Sequence, residues 1–279
     1  FDWSKGYEYT NDKGEKKKGY FRYWAPGRVI EHDGKFYLYV TFVKPGDKMG
    51  TYVLVADRPE GPFRFTEGKG LFVSGEEVDS PAIINDIDGE PFIDDDGTGY
   101  IFWRRRNAAR LSADRLHLDG EPVTLKTARQ GYSEGPVMFK RKGIYYYIYT
   151  LSGHQNYANA YMMSRESPLT GFVKPEGNDI FLFSSPENQV WGPGHGNVFY
   201  DERTDEYIFL YLEYGDGGTT RQIYANWMEF NDDGTIKTLV PDKRGVGYLA
   251  APQEKRTNLS LQSHFYASSE KEPRTSVVS

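Results

Sequence analysis

Lys142-Gly143-Ile144-Tyr145-Tyr146-Tyr147-Ile148-Tyr149 is a polar dipeptide followed by six aromatic or β-branched residues. Lys-Gly suits the left-handed dihedrals of a tight hairpin, and Tyr and Ile favour a pleated sheet, so the stretch predicts a turn leading into a strand. The same unit recurs on both sides. Asp33-Gly34 precedes Lys35-Phe36-Tyr37-Leu38-Tyr39-Val40, Asp96-Gly97 precedes Tyr100-Ile101-Phe102-Trp103, and Thr204-Asp205 precedes Tyr207-Ile208-Phe209-Leu210-Tyr211. The spacing of roughly 45 to 64 residues is that of one propeller blade per unit. A second echo, Arg58-Pro59-Glu60-Gly61-Pro62-Phe63 against Ser167-Pro168-Leu169-Thr170-Gly171-Phe172, falls about twenty residues after a hairpin strand in each case. No helical period is sustained anywhere. The expectation is an all-β chain built as a β-propeller. A β-sandwich is the alternative, with shorter strand spacing and no such long repeat.

Composition agrees. Among 279 residues there are 22 Tyr, 17 Phe and 30 Gly, a mixture that suits short strands and tight turns. A net charge of −6 argues against nucleic acid or an anionic membrane as the main partner. The chain has no Cys, which excludes disulfides and thiolate metal sites. No apolar run is long enough for a membrane span. The chain opens on Phe1 with no initiator Met and no leader, and the expectation is a processed or partial chain. After Leu249, Ala251 to Thr257 reads as a polar linker, and strand-like sequence resumes from Asn258 to Ser269. Residues 1–250 are therefore expected to form the propeller, and 251–279 a linker and the start of a second β domain.

Four segments carry candidate chemistry. In Ile87-Asp88-Gly89-Glu90-Pro91-Phe92-Ile93, Asp88 stands just ahead of an apolar strand, as a turn cap or as a carboxylate at the propeller centre. The following Asp94-Asp95-Asp96-Gly97 reads as a solvated turn more simply than as a calcium loop. In Tyr132-Ser133-Glu134-Gly135-Pro136, Glu134 precedes a hydrophobic strand; burial would favour its neutral form, as a general acid needs. In Trp191-Gly192-Pro193-Gly194-His195-Gly196, small residues let backbone pack around His195, a structural His or the holder of a central water or cation. Arg104-Arg105-Arg106 after Trp103 reads as a solvated face or a substrate contact, and Trp24 and Arg221 are single signals of the same kind. There is no nucleophile elbow, phosphate loop, zinc-protease motif or dinucleotide fingerprint.

Taken together, Trp24-Ala25-Pro26, Ile87-Asp88 through Asp96-Gly97, Ser133-Glu134-Gly135-Pro136 and Gly192-Pro193-Gly194-His195-Gly196 resemble glycoside hydrolase family 43 in order and spacing, over roughly residues 20 to 250. The resemblance implies a five-bladed β-propeller that cleaves arabinose- or xylose-containing plant polysaccharides with inversion. It implies Glu134 as general acid and Asp88 as the carboxylate that orients it. His195 would hold a central water or calcium ion, although no cofactor is required. Arg221, Trp24, Trp103 and Trp191 would be substrate contacts. It further implies an oligo- or polysaccharide partner, a monomer, secretion or a periplasmic location in a bacterium, and a discoidin-like or carbohydrate-binding start to the tail. One departure stands out. The family's general base is an Asp in an early Asp-Pro-type motif, and before Trp24 there are only Asp2 and Asp12, without those surroundings. The first blade is therefore expected to be incomplete. A non-catalytic carbohydrate-binding propeller or an inactive fragment lacking the general base, and a related propeller hydrolase acting on fructans or galactans, are the competing readings.

Overall fold

The computed structural model describes residues 6–66, 72–73, 76–77, 80–151, 156–215 and 221–247. The chain divides into two compact units, Phe1–Val246 and Gly247–Ser279. The expected second β domain at 251–279 lies outside the described residues.

All four expected hairpins form, and each opens an antiparallel meander. β1 (Tyr7–Thr10) and β2 (Lys16–Gly19) make a small leading hairpin. β3 (Arg22–His32), β4 (Lys35–Lys44) and β5 (Lys48–Ala56) form the first multi-stranded sheet, followed by the two-residue pair β6 (Phe72–Val73) and β7 (Glu76–Glu77). β8 (Glu90–Ile93), β9 (Gly99–Trp103), β10 (Asn107–Leu111) and β11 (Leu118–Thr124) form the second. β12 (Ser133–Arg141), β13 (Ile144–Leu151), β14 (Ala158–Ser164) and β15 (Ile180–Leu182) form the third. β16 (Gly194–Asp201), β17 (Glu206–Glu213) and β18 (Gln222–Met228) form the fourth. Strands pair in chain order within every sheet, and the described residues contain no α-helix. The turn dipeptides adopt left-handed φ, 48° and 75° at Lys142-Gly143 and 50° and 71° at Asp33-Gly34, as a tight hairpin demands. The second echo is structural as well. Arg64 and Val173, each just past its echoed segment, bridge back to Val55 of β5 and Met163 of β14.

The run at Ile144–Tyr149 has no polar alternation because β13 is covered on both faces. Tyr145, Tyr147 and Tyr149 pack with Phe92, Phe102 and Ala108 of the second sheet. Ile144, Tyr146 and Ile148 pack with Phe209, Tyr211 and Met228 of the fourth. The sheets thus stack face to face in chain order, a third core joining Ile30, Tyr37 and Tyr39 to Ile101, Trp103 and Ala109. Some of the buried tyrosines keep a hydrogen bond at the polar tip, whereas the hydroxyls of Tyr147 and Tyr149 are buried without one. Tyr146 Oη donates to the Gly234 carbonyl at 2.6 Å, and Tyr39 Oη to that of Arg115 at 2.7 Å. The first strands of successive sheets lie side by side, β3 next to β8, β8 next to β12 and β12 next to β16. The outward face of the fourth sheet is different. Phe199, Leu210, Ile223 and Trp227 are exposed on it, Ile223 at 81%.

Candidate active site

The site is built from a repeated irregularity. Register breaks in β3 between Trp24 and Val29, in β12 between Glu134 and Val137, and in β16 between Gly194 and Asn197. β8 is entered through Asp88, whose φ of 67° is left-handed. Bulges bend a strand and re-aim its side chains. Here they line a cavity of about 380 Å³ with Ala25-Pro26-Gly27, Asp88, Pro136 and His195, and with Arg221 and Ile223 from β18 and its approach. His195 is also left-handed, at φ 44°. Two non-glycine residues in that region cost roughly 1–3 kcal/mol each and persist only if the surroundings hold them. Matching hydroxyls do so. The Asp88 amide donates to Thr41 Oγ1 at 3.0 Å and the His195 amide to Thr150 Oγ1 at 2.8 Å, both threonines being wholly buried. Gly135 is confined by contact as well as conformation, since a Cβ there would come within 2.7 Å of the His195 ring.

Glu134 and Asp88 come together. Asp88 Oδ2 accepts the Gly135 amide at 3.2 Å, so the backbone immediately after Glu134 is fastened to Asp88. Both are buried, at 6% and 5% exposure. Burial pushes the Glu134 carboxyl above its usual range, and the charge of Asp88 pushes the same way; the Tyr132 phenol, His195 and Arg221 oppose it. Two phenols hold the carboxyl. Tyr157 Oη donates to Oε1 and Tyr132 Oη to Oε2. A carboxyl that holds its proton more tightly than usual, beside a second carboxylate and a cavity, can deliver that proton to a ligand oxygen.

A second polar cluster, with Glu90 and Asn197 on the cavity lining, joins all four sheets. Arg28 on β3 gives Nε to Glu90 Oε1 at 2.5 Å and its amide to Glu90 Oε2 at 3.0 Å. Its Nη2 reaches Asn197 Oδ1 on β16 at 2.8 Å and the Met138 carbonyl on β12 at 3.5 Å. Asn197 Nδ2 closes the ring on Glu90 Oε1 at 3.0 Å. Sequence reasoning missed Arg28, Glu90 and Asn197. The available signal is spacing alone: each stands two residues past Pro26, Asp88 or His195 of a quoted motif. It also missed Tyr132, although it quoted it, and Tyr157.

Several expected residues are placed differently. Trp103 is a core residue at 5% exposure, packed between the first and second sheets, which leaves it no face for a sugar. Trp24 lies beneath the Arg22 guanidinium, 5.2 Å from its ring, while the next three residues line the cavity instead. Trp191 is tied through its amide to Glu213 Oε1 at 3.0 Å, and is not on the cavity lining. The arginine run is solvated only at Arg105. Arg106 is buried and donates to the carbonyls of Arg129 and Gly131, and Arg104 pairs with Asp86 at 2.7 Å. Asp94 is spent on Lys140 and Tyr145, consistent with a turn rather than a calcium loop. Asp12 is exposed in the β1–β2 turn, and Asp2 lies outside the described residues. Among the described residues that line the cavity, the carboxylates are Asp88 and Glu90, and both oxygens of Glu90 are occupied by Arg28 and Asn197.

A calcium ion at His195 does not fit the donor set. Calcium takes six to eight oxygens, His195 offers nitrogen, and no three His, Asp or Glu side chains converge among the described residues.

Known proteins resemble this chain along most of its length. The chain is 30% identical to a β-D-galactofuranosidase, xynD, of Aspergillus niger over 76% of its own length and 64% of that protein. It is 25% identical to an arabinoxylan arabinofuranohydrolase of Bacillus subtilis, over 81% of this chain and 49% of the relative. The chain thus spans about half to two-thirds of the length of these relatives. A solved structure described as a glycoside hydrolase superposes with a TM-score of 0.77 at 43% identity, covering 85% of this chain and 53% of the other. The profile of Glycosyl hydrolases family 43 matches residues 2–236, and with it the bulged strands that bring Asp88, Glu134 and His195 together: the chain belongs to that family.

Proposed function

We propose that residues 1–250 are the catalytic propeller of an inverting glycoside hydrolase that acts on arabinose- or xylose-containing plant polysaccharides. The observation that carries this is Glu134, a buried carboxyl with a raised proton affinity, fastened through the next amide to Asp88 at the edge of a cavity. In this reading Glu134 protonates the glycosidic oxygen as the bond to the anomeric carbon breaks. Asp88 keeps Glu134 aimed and, by its charge, protonated. Arg221, a cation on the cavity wall, binds sugar hydroxyls. His195 holds the floor through its backbone, its amide on Thr150. Inversion requires a further carboxylate about 6.5–9.5 Å from the acid to activate water. Glu90 is poorly suited to that role because its oxygens are occupied. The reading assigns the base to a carboxylate outside the described residues. The names of the two relatives, both furanoside-cleaving, support a furanoside such as arabinofuranose as the sugar cleaved. A polymeric substrate places the enzyme outside the cytoplasm. A five-bladed propeller accommodates the four sheets and supplies a neighbour for the apolar face at Phe199, Leu210, Ile223 and Trp227.

The test compares leaving groups. Glu134→Gln should lower kcat about 10²–10⁴-fold on natural arabinosides or xylosides, and far less on nitrophenyl glycosides, whose leaving oxygen needs little protonation. Equal turnover of natural glycosides by both proteins would end the assignment. A non-catalytic carbohydrate-binding propeller draws on the occupied state of Glu90. Calorimetric binding of arabino- or xylo-oligosaccharides with no release of reducing sugar would favour it.

A further inference from the structure

The mechanism above leaves a buried phenol unused. Tyr157 stands immediately before β14 at 4% exposure, with Oη on Glu134 Oε1. Its ring is clamped. Gly194 packs so closely that a Cβ there would meet Tyr157 Cδ2 at 2.7 Å, and the ring meets Tyr214 edge-on at 5.1 Å between centroids. Tyr214 is buried too, and its Oη accepts Arg221 Nη2, while the guanidinium lies 4.8 Å from its ring. Tyr132, the other phenol on Glu134, is 50% exposed. The two oxygens of Glu134 therefore have unlike surroundings, one backed by a buried donor and one covered by a half-exposed donor.

On the assumption that Glu134 is the acid, we propose that Tyr157 is a positioning residue that fixes Oε1 as the acceptor oxygen, makes Oε2 the oxygen that delivers the proton, and links the acid through Tyr214 to the sugar-facing Arg221. Tyr157 donates its hydroxyl hydrogen to Oε1, so the carboxyl proton resides on Oε2. The leaving oxygen displaces Tyr132 and takes that proton. The Oε2–H bond breaks as the oxygen–proton bond forms, and the electron pair of the severed glycosidic bond stays on the leaving oxygen. The resulting carboxylate keeps the Tyr157 hydrogen bond, which favours the charged form. The other groups facing Glu134 are Asp88 from the approach to β8, His195 from β16, Arg221 from the approach to β18 and Tyr132 from the approach to β12, with Arg104 acting on Tyr132.

The test is the titration of Glu134 itself, read from the carboxyl carbon in ¹³C-glutamate-labelled protein, the resonance being assigned by its loss in Glu134→Gln. Tyr157→Phe keeps the clamped ring and removes only the donor. It should raise the Glu134 midpoint by about one pH unit, move the alkaline limb of the kcat profile upward equally, and lower kcat roughly tenfold with KM little changed. Site-specific 3,5-difluorotyrosine at position 157, a stronger donor, should move the midpoint down, a reversal that a purely packing role would not produce. An unmoved midpoint in both proteins would overturn the proposal while leaving Glu134 as the acid. Full turnover by Glu134→Gln would instead remove the reading on which it rests.

Discussion

Glu134 shows how one burial sets both chemistry and stability. Its carboxyl binds a proton more tightly folded than unfolded, because burial penalises the charge. The folded state then holds the extra proton between the ordinary and the raised value, and stability falls as pH rises through that window. Below it both states are protonated and the contribution is fully favourable. Glu134→Gln has no proton to lose. Urea unfolding across the acid-to-neutral range should therefore show the wild type losing ground to the variant as pH rises, and parallel curves would contradict the burial argument. Asp88 and Glu134 stood out in the sequence because each lies beside a glycine ahead of an apolar strand. That pattern fits a turn cap or an edge residue equally, and their roles were implied only by the family resemblance. Tyr157 did not stand out. Its partner lies on another strand, and nothing in Asn156-Tyr157-Ala158 distinguishes a clamped phenol from one more core tyrosine among 22.

At the scale of strands, the hairpins and their repeat were fully readable, because turn dipeptides and β-branched runs act locally. The bulges were visible only as oddly placed Pro and Gly. Their effect depends on the neighbouring strand, whose identity no local pattern contains. The same holds for the Arg28–Glu90–Asn197 ring, whose members are far apart in the chain and meet because β3, β8 and β16 converge. Removing one charge from a buried pair strands the other, typically at a cost of about 3–5 kcal/mol, whereas replacing both by apolar groups is often close to neutral. Arg28→Met should accordingly lower the urea midpoint sharply. Arg28→Met combined with Glu90→Met should recover most of the loss, and a double variant as unstable as the single sum would show that the ring does not act as a unit.

For the molecule as a whole, three cores between four sheets explain why aromatic residues are so numerous: the strands in the middle of the stack, β12, β13 and β14 above all, are covered on both sides. The fourth sheet breaks that rule on its outward face. Substitutions at exposed positions away from special features usually change stability by no more than about 0.5 kcal/mol. With the neighbour proposed above on this face, Phe199→Lys and Trp227→Lys, both off the cavity lining, should instead lower the melting temperature clearly. A loss above about 2 kcal/mol would mean that this face is covered. The number of blades was expected from resemblance, and the repeat alone fixes only the four hairpin units that the described residues contain.

The bulges and the hairpin turns occupy opposite ends of the same strands. In β12 the irregularity is at Glu134–Val137 and the turn at Lys142-Gly143, some six residues or about 20 Å further on. β3 and β16 repeat the arrangement, with turns at Asp33-Gly34 and Thr204-Asp205. The molecule therefore has a working side and a handling side. A fluorophore, a surface tether or a short inserted epitope at any of these turns sits a full strand length from the bulges, so the chain can be immobilised with its cavity facing away from the support.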